Sequence, residues 1–458
     1  MSYLSPAKKT LLILFILAAA LELLLRGPVR FLQASDVNDF ISPYVQSKAL
    51  LEGLDPYSPE VLVQLWPNRG EFKEIISKDL AEHQLIARRG FPTAYPLTCL
   101  LLLTPLAAMP WKAAYLVWLA LTLCLVACLL WSLMALCDFD KNDWRAYVFL
   151  AVALALAPLH TALAKGSIVI PAVALCGIAL LEANRSRHDF LAGILFGIAV
   201  GLKPQIGLPF VAYYFFRQRW KPVLAACGIV AVTATAAMMR LAMSGAPWLQ
   251  NYQNDNRVLF LTGALSDFTE RNPMRFGLIN LQVLFYAIGH RVRTANSFAL
   301  LASAFLFALW ILLLLRTKPI DAMLPISAIA VISLFPVYHR MYDAFLLIFP
   351  LAWSLKTSSS GKNKLAFGTF LLILPFLVPG GSLLEHLQFR GRIPGAVKQS
   401  WFWNDVMLPH QIWILLFLSL LLLAQMFLLP RHTAGRRPDG ETPNTRISVR
   451  TEMQAHAT

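Results

Sequence analysis

Apolar runs recur along the chain, most of them close to the length of a membrane-crossing helix, and no other feature restricts the fold so strongly. "TLLILFILAAALELLL" (10–25) and "WKAAYLVWLALTLCLVACLLWSLMAL" (111–136) are two of them. A hydrocarbon core takes about 20 apolar residues of helix, in which each segment satisfies its own backbone groups. Charged residues are 14% of the 458 and hydrophobic ones 57%, whereas soluble domains carry roughly 25% charged residues. The sequence predicts an all-α polytopic membrane protein. Candidate spans are 10–25, 111–136, 145–160, 167–183, 189–202, 204–216, 220–243, 295–315, 320–335, 341–355, 364–380 and 411–430. That makes about 12 crossings, with ten to fourteen left open.

The net charge of +15 lies in the links between apolar runs: "RSRH" (185–188), "RQRWK" (217–221), "RTK" (316–318), "KTSSSGKNK" (356–364) and "RHTAGRR" (431–437). Basic links mark cytoplasmic loops. With both termini cytoplasmic, these spans place every such link on that side, so the charge is explained without a nucleic-acid partner. Two apolar segments, 96–110 and 276–290, are expected to be re-entrant or interfacial. Residues 27–94, 244–293 and 381–410 then face outward, and 71–89 reads as an amphipathic helix in the headgroup layer. Residues 1–430 form one membrane domain, followed by a polar, disordered tail at 431–458. Lys8 and Lys9 precede the first run as in a signal peptide, but no small-residue cleavage site follows, so a retained span is expected. The six cysteines show no CxxC spacing and have no histidine at ligand spacing, which argues for neither a disulfide nor a zinc site.

Three constellations can carry chemistry. In "SDVNDFISPY" (35–44), Asp36 and Asp39 stand where the first helix leaves the bilayer. A partly desolvated carboxylate can serve as a general base; alternatively, either residue caps the helix that follows. In "GLKPQIG" (201–207), Lys203 and Gln205 flank Pro204, which interrupts the helix. Lys203 is either a phosphate ligand or a snorkelling lysine. In "FPVYHRMYDAFLLIFP" (335–350), His339 and Asp343 share a helix face with Arg340 and Tyr342 between them. Charges at that depth are functional candidates, unless an Arg340–Asp343 pair merely fixes the helix. Lys165, Arg271 and Arg275 read as headgroup anchors.

Four segments in order resemble glycosyltransferase family 87, integral-membrane enzymes of the GT-C class. They are "DFISPYVQSKALLEGLDPY" (39–57), "AYPLTCLLLLTPLAAMPWKAAYLVWLAL" (94–121), "FLAGILFGIAVGLKPQIGLPF" (190–210) and "YHRMYDAFLLIFPL" (338–351). The likeness covers about residues 36–355. It implies a GT-C helical bundle and transfer of a sugar, typically mannose, from a polyprenyl-phosphate donor to a lipid or glycan hydroxyl on the outer face of the cell membrane. It also implies Asp39 as base, with Asp36 as the competing candidate. Lys203 and His339 would lie near the donor phosphate. Gln205, Arg340, Asp343, Tyr44, Tyr57 and Tyr95 would contribute to substrate binding. No cofactor is implied, and Asp36, Asp39 and Asp343 leave a divalent metal open. Gly166-Ser167 stands where the family often has Gly-Gln, and Tyr338-His339-Arg340 where it often has Ser-Trp-x-His. These departures leave the sugar and acceptor open. A flippase or transporter of lipid-linked sugars would need charges deep in several spans, and Glu22 and Arg240 are the few candidates. A polysaccharide ligase or polymerase usually has its large outward loop late in the chain.

Overall fold

The computed structural model describes residues 5–34, 38–67, 95–140, 142–185, 188–261, 263–272, 274–316, 321–358 and 363–428. Asp36, the amphipathic stretch 71–89 and the tail at 431–458 lie outside the described residues. The described residues form α1 (Pro6–Arg26), α2 (Pro28–Gln33), α3 (Ile41–Glu52), α4 (Pro59–Leu65), α5 (Leu97–Ala107), α6 (Trp111–Leu136) and α7 (Trp144–Ala155). They continue with α8 (Ala157–Lys165), α9 (Val169–Asn184), α10 (Asp189–Leu202), α11 (Pro204–Phe216), α12 (Trp220–Ser244), α13 (Trp248–Leu259), α14 (Leu281–Gly289), α15 (Val292–Arg316) and α16 (Met323–Ile332). A 3-10 segment, Met341–Leu347, runs into α17 (Ile348–Ser358), and α18 (Lys364–Ile373), α19 (Gly380–Phe389), α20 (Gly395–Lys398) and α21 (His410–Leu428) complete the set. Among the described residues, the one β-bridge pairs Leu278 with Arg340.

Among the described residues, six helices are long and apolar enough to cross a membrane: Pro6–Gln33, α6, α12, α15, Lys364–Phe389 and α21. A seventh results if α7 and α8, bent by 47°, make one crossing. The remaining expected spans are shorter helices enclosed by these. In α16 all ten residues are buried, and apolar composition alone does not separate a buried core helix from a lipid-facing one. Segments 96–110 and 276–290 contain helices of only 11 and 9 residues, α5 and α14.

The expected span 145–160 is bent at Leu156. The Leu154 carbonyl would meet the amide of residue 158 in a continuous helix, and Pro158 has none. The His160 ring takes that role, its Nε2 lying 2.7 Å from the Leu154 oxygen. Elsewhere small residues allow helices to touch: α10 meets α12 at Gly193 and Gly197. A Cβ at 193 would lie 2.5 Å from the Pro222 carbonyl oxygen, and one at 197 would lie 2.9 Å from that of Ala226. This small-xxx-small contact is a common way for membrane helices to pack.

Candidate active site

The turn between α2 and α3 is built by Asn38. Its Oδ1 accepts from the amides of Phe40 (3.0 Å) and Ile41 (3.1 Å), and its Nδ2 donates to the Ala34 carbonyl (3.1 Å). Phe40 stacks on Trp118, 4.5 Å between centroids, and its other aromatic neighbours are Trp111 and Tyr44. Asp39 does not cap α3: Phe40 holds the N-cap position with no side-chain cap bond, and the amides of Phe40 and Ile41 are taken by Asn38. Instead the Asp39 amide donates to the Lys165 carbonyl at 2.7 Å, at the end of α8. Gly166 stops α8 with φ +65°, and a Cβ there would fall 2.6 Å from the Phe31 ring. Both the backbone angle and the close approach call for glycine.

The Asp39 carboxyl, half-buried, faces Lys165, Arg340 and Lys203 and accepts a hydrogen bond from the Tyr342 hydroxyl. Burial pushes its pKa above the usual carboxylate range. The three cations and the tyrosine oppose that rise without cancelling it. This places Asp39 in the state wanted of a general base, a carboxylate with raised proton affinity beside an anion-attracting field.

A second carboxylate organises the cations. Lys203 stands in extended backbone between α10 and α11, and its ammonium pairs with Asp343 Oδ1. The same ammonium lies 5.3 Å from the centre of the Tyr342 ring. His339 Nδ1 donates to Asp343 Oδ2 at 2.9 Å, and the Arg340 amide donates to the same oxygen at 3.2 Å. The alternative, an Arg340–Asp343 side-chain pair, does not form. The Arg340 guanidinium donates instead to the Tyr338 hydroxyl and to the Leu265 carbonyl. His339 is fully buried, and its Nε2 has no hydrogen-bond partner among the described residues. The Ile279 amide donates to the His339 carbonyl at 3.1 Å, which ties the 263–289 segment to the site.

Asp39, Lys203, Arg340, His339 and Asp343 thus meet, although they come from three distant parts of the chain. Tyr95 joins them within electrostatic reach of Asp39 and Asp343. Tyr57 is buried, and its hydroxyl donates to the Tyr95 carbonyl at 2.6 Å, so it supports position 95. Tyr44 is buried in the aromatic cluster and donates to the Met109 carbonyl at 2.9 Å. Gln205, half-buried, sits in the first turn of α11. Sequence reasoning assigned no role to Tyr342 and took Lys165 for a headgroup anchor. Their one visible signal was a polar residue at the end of an apolar run. Among the described residues no three His, Cys, Asp or Glu side chains gather as a metal set.

The fold and this polar cluster describe a polytopic helical membrane protein with charged groups concentrated at the ends of its inner helices. The model of glycosyltransferase family 87 matches residues 93–350, more than half of the chain. The chain belongs to that family and is a membrane glycosyltransferase. Lys165, Lys203 and residues 338–343 lie inside the match, and Asp39 lies before it. No curated protein and no solved structure matches the chain.

Proposed function

We propose that this enzyme moves a sugar, mannose in the first instance, from a polyprenyl-phosphate donor to a lipid or glycan hydroxyl at the outer face of the cell membrane, on a GT-C-type bundle. The observation that carries this reading is the Asp39 carboxyl, free of any capping bond to α3 and set among Lys165, Lys203 and Arg340. Asp39 takes the proton of the acceptor hydroxyl. The acceptor oxygen bonds to the anomeric carbon as the bond from that carbon to the phosphate oxygen breaks, and configuration inverts. The lipid phosphate leaves with the electron pair, and the three cations stabilise its charge.

Three cations against the two carboxylates Asp39 and Asp343 leave the site net positive, which suits an anionic donor. Side chains supply positive charge at the leaving group, so the chemical step is proposed to need no metal. Basic links on the opposite side support a cytoplasmic position for both termini.

The test is transfer from radiolabelled polyprenyl-phosphate-mannose in detergent, with a crude lipid fraction as acceptor. Asp39→Asn should abolish transfer while donor binding persists. Transfer by wild type that survives Asp39→Asn would remove Asp39 as base. No transfer by wild type from polyprenyl-phosphate sugars would remove the donor assignment.

A further inference from the structure

A second pair of acids lies apart from the proposed catalytic centre, where α13 crosses the turn joining α3 to α4. Asp55 shapes that turn: its Oδ1 accepts from the Tyr57 amide at 2.9 Å and its Oδ2 from Asn251 Nδ2 at 2.7 Å. Asn251 is on α13, and Tyr252 beside it packs on Tyr57 with ring centres 5.0 Å apart. Asp255 stands one helical turn beyond Asn251, on the same face of α13.

Asp255 is only 5% exposed, and its Oδ2 is buried without a hydrogen-bond partner. Among the described residues no cation is paired with it. The Asp55 carboxylate is a neighbouring charge that acts on it. Arg240, which reaches the same turn, lies over Gly53 and donates to the Leu51 carbonyl.

A buried carboxyl in this position must be neutralised. A proton does this poorly, because its O–H would still need an acceptor and Asp255 makes no hydrogen bond to Asp55. Side chains one helical turn apart are about 5–6 Å apart at Cβ, so Asp255 lies a short step from the Asn251–Asp55 contact. Two carboxylates brought together in this way offer oxygen ligands of the kind that hold hard divalent ions, with water completing the shell.

We propose that Asp55 and Asp255 bind one divalent cation, of the Ca²⁺, Mg²⁺ or Mn²⁺ type, which clasps α13 onto the α3–α4 turn. The ion neutralises both acids and fixes Tyr57. Through its bond to the Tyr95 carbonyl, Tyr57 steadies one wall of the proposed active site. The ion is structural and takes no part in sugar transfer.

The test uses the full-length protein in detergent, stripped with a chelator and titrated with Ca²⁺, Mg²⁺ or Mn²⁺, with thermal unfolding and Mn²⁺ paramagnetic resonance as readouts. One ion per chain should bind saturably and raise Tm. Asp255→Asn keeps the shape, removes the buried charge and should fold, yet lose the saturable ion effect. Asp343→Asn, in the other cluster, should retain it. Absence of a stoichiometric ion in wild type would overturn the proposal, as would its persistence in Asp255→Asn.

Discussion

Tyr342→Phe isolates one interaction at the proposed base. The Tyr342 hydroxyl donates to the Asp39 carboxyl and its ring lies under the Lys203 ammonium; phenylalanine keeps the ring and deletes the hydroxyl. A hydrogen bond to an ionised group contributes about 1.5–3 kcal/mol, and half-burial of Asp39 argues for the lower end. The bond favours the ionised carboxylate, so its loss raises the proton affinity of Asp39. A base works only when deprotonated, and the acid limb of kcat/KM should therefore move to higher pH. At a fixed pH on that limb the loss is about tenfold, since 1.4 kcal/mol corresponds to a factor of 10. Above the limb, where Asp39 is ionised in both proteins, the rates should converge. The assay is initial-rate sugar transfer across a pH series for wild type and Tyr342→Phe. A loss equal at every pH would refute the reasoning, because it would mean that Tyr342 acts by shape or by holding substrate.

The neighbouring cluster invites further tests. Asp343→Asn strands the Lys203 ammonium, 13% exposed, and breaks a buried pair, which costs about 3–5 kcal/mol. Its Tm should fall well below that of wild type, and adding Lys203→Met should recover part of the loss; an unchanged Tm in the single variant would show that the pair is not structural. Gly197→Leu places a side chain against Ala226 and Ile229 of α12. The expected cost is about 1–3 kcal/mol from overpacking, read as a lower Tm, whereas Gly228→Leu, whose Cβ would meet nothing within 4 Å, should leave Tm close to wild type. In wild type the acid limb of transfer should lie above the pH at which an exposed aspartate titrates, because burial raises the Asp39 proton affinity; a limb at or below that pH would contradict the buried setting.

Much of this arrangement was legible in the sequence, and the remainder was hidden for identifiable reasons. Apolar runs and basic links point to a polytopic helical protein, because lipid and water sort residues by transfer energy alone. Asp39, Lys203, His339 and Asp343 stand out as charges at the ends of such runs. Their connections do not. In the sequence Asp39 is as good a cap as it is a general base, and the spacing does not show that Asn38 takes the amides of Phe40 and Ile41 instead. Asp343 bypasses Arg340, three residues away, for Lys203, 140 residues away, and local spacing cannot encode that choice. Asp255 is concealed in a polar helix that reads as solvent-exposed until the α3–α4 turn covers it. The short helices α10 and α16 are as apolar as spans, and only their burial marks them as interior.

The bend at Leu156 acts as a lever for the whole site. A nine-residue helix is about 13 Å long, so straightening α8 by roughly 10° would swing its Lys165 end through about 2 Å. That end carries both the carbonyl holding the Asp39 amide and a cation facing the Asp39 carboxyl. A displacement of that size exceeds what a 2.7 Å hydrogen bond tolerates, and misplacing a catalytic group by 1 Å can cost about a hundredfold in rate. The fulcrum is a single imidazole that substitutes for the amide Pro158 cannot provide. Pro158 and His160, at one end of α8, thus bear on the placing of Asp39 at the other.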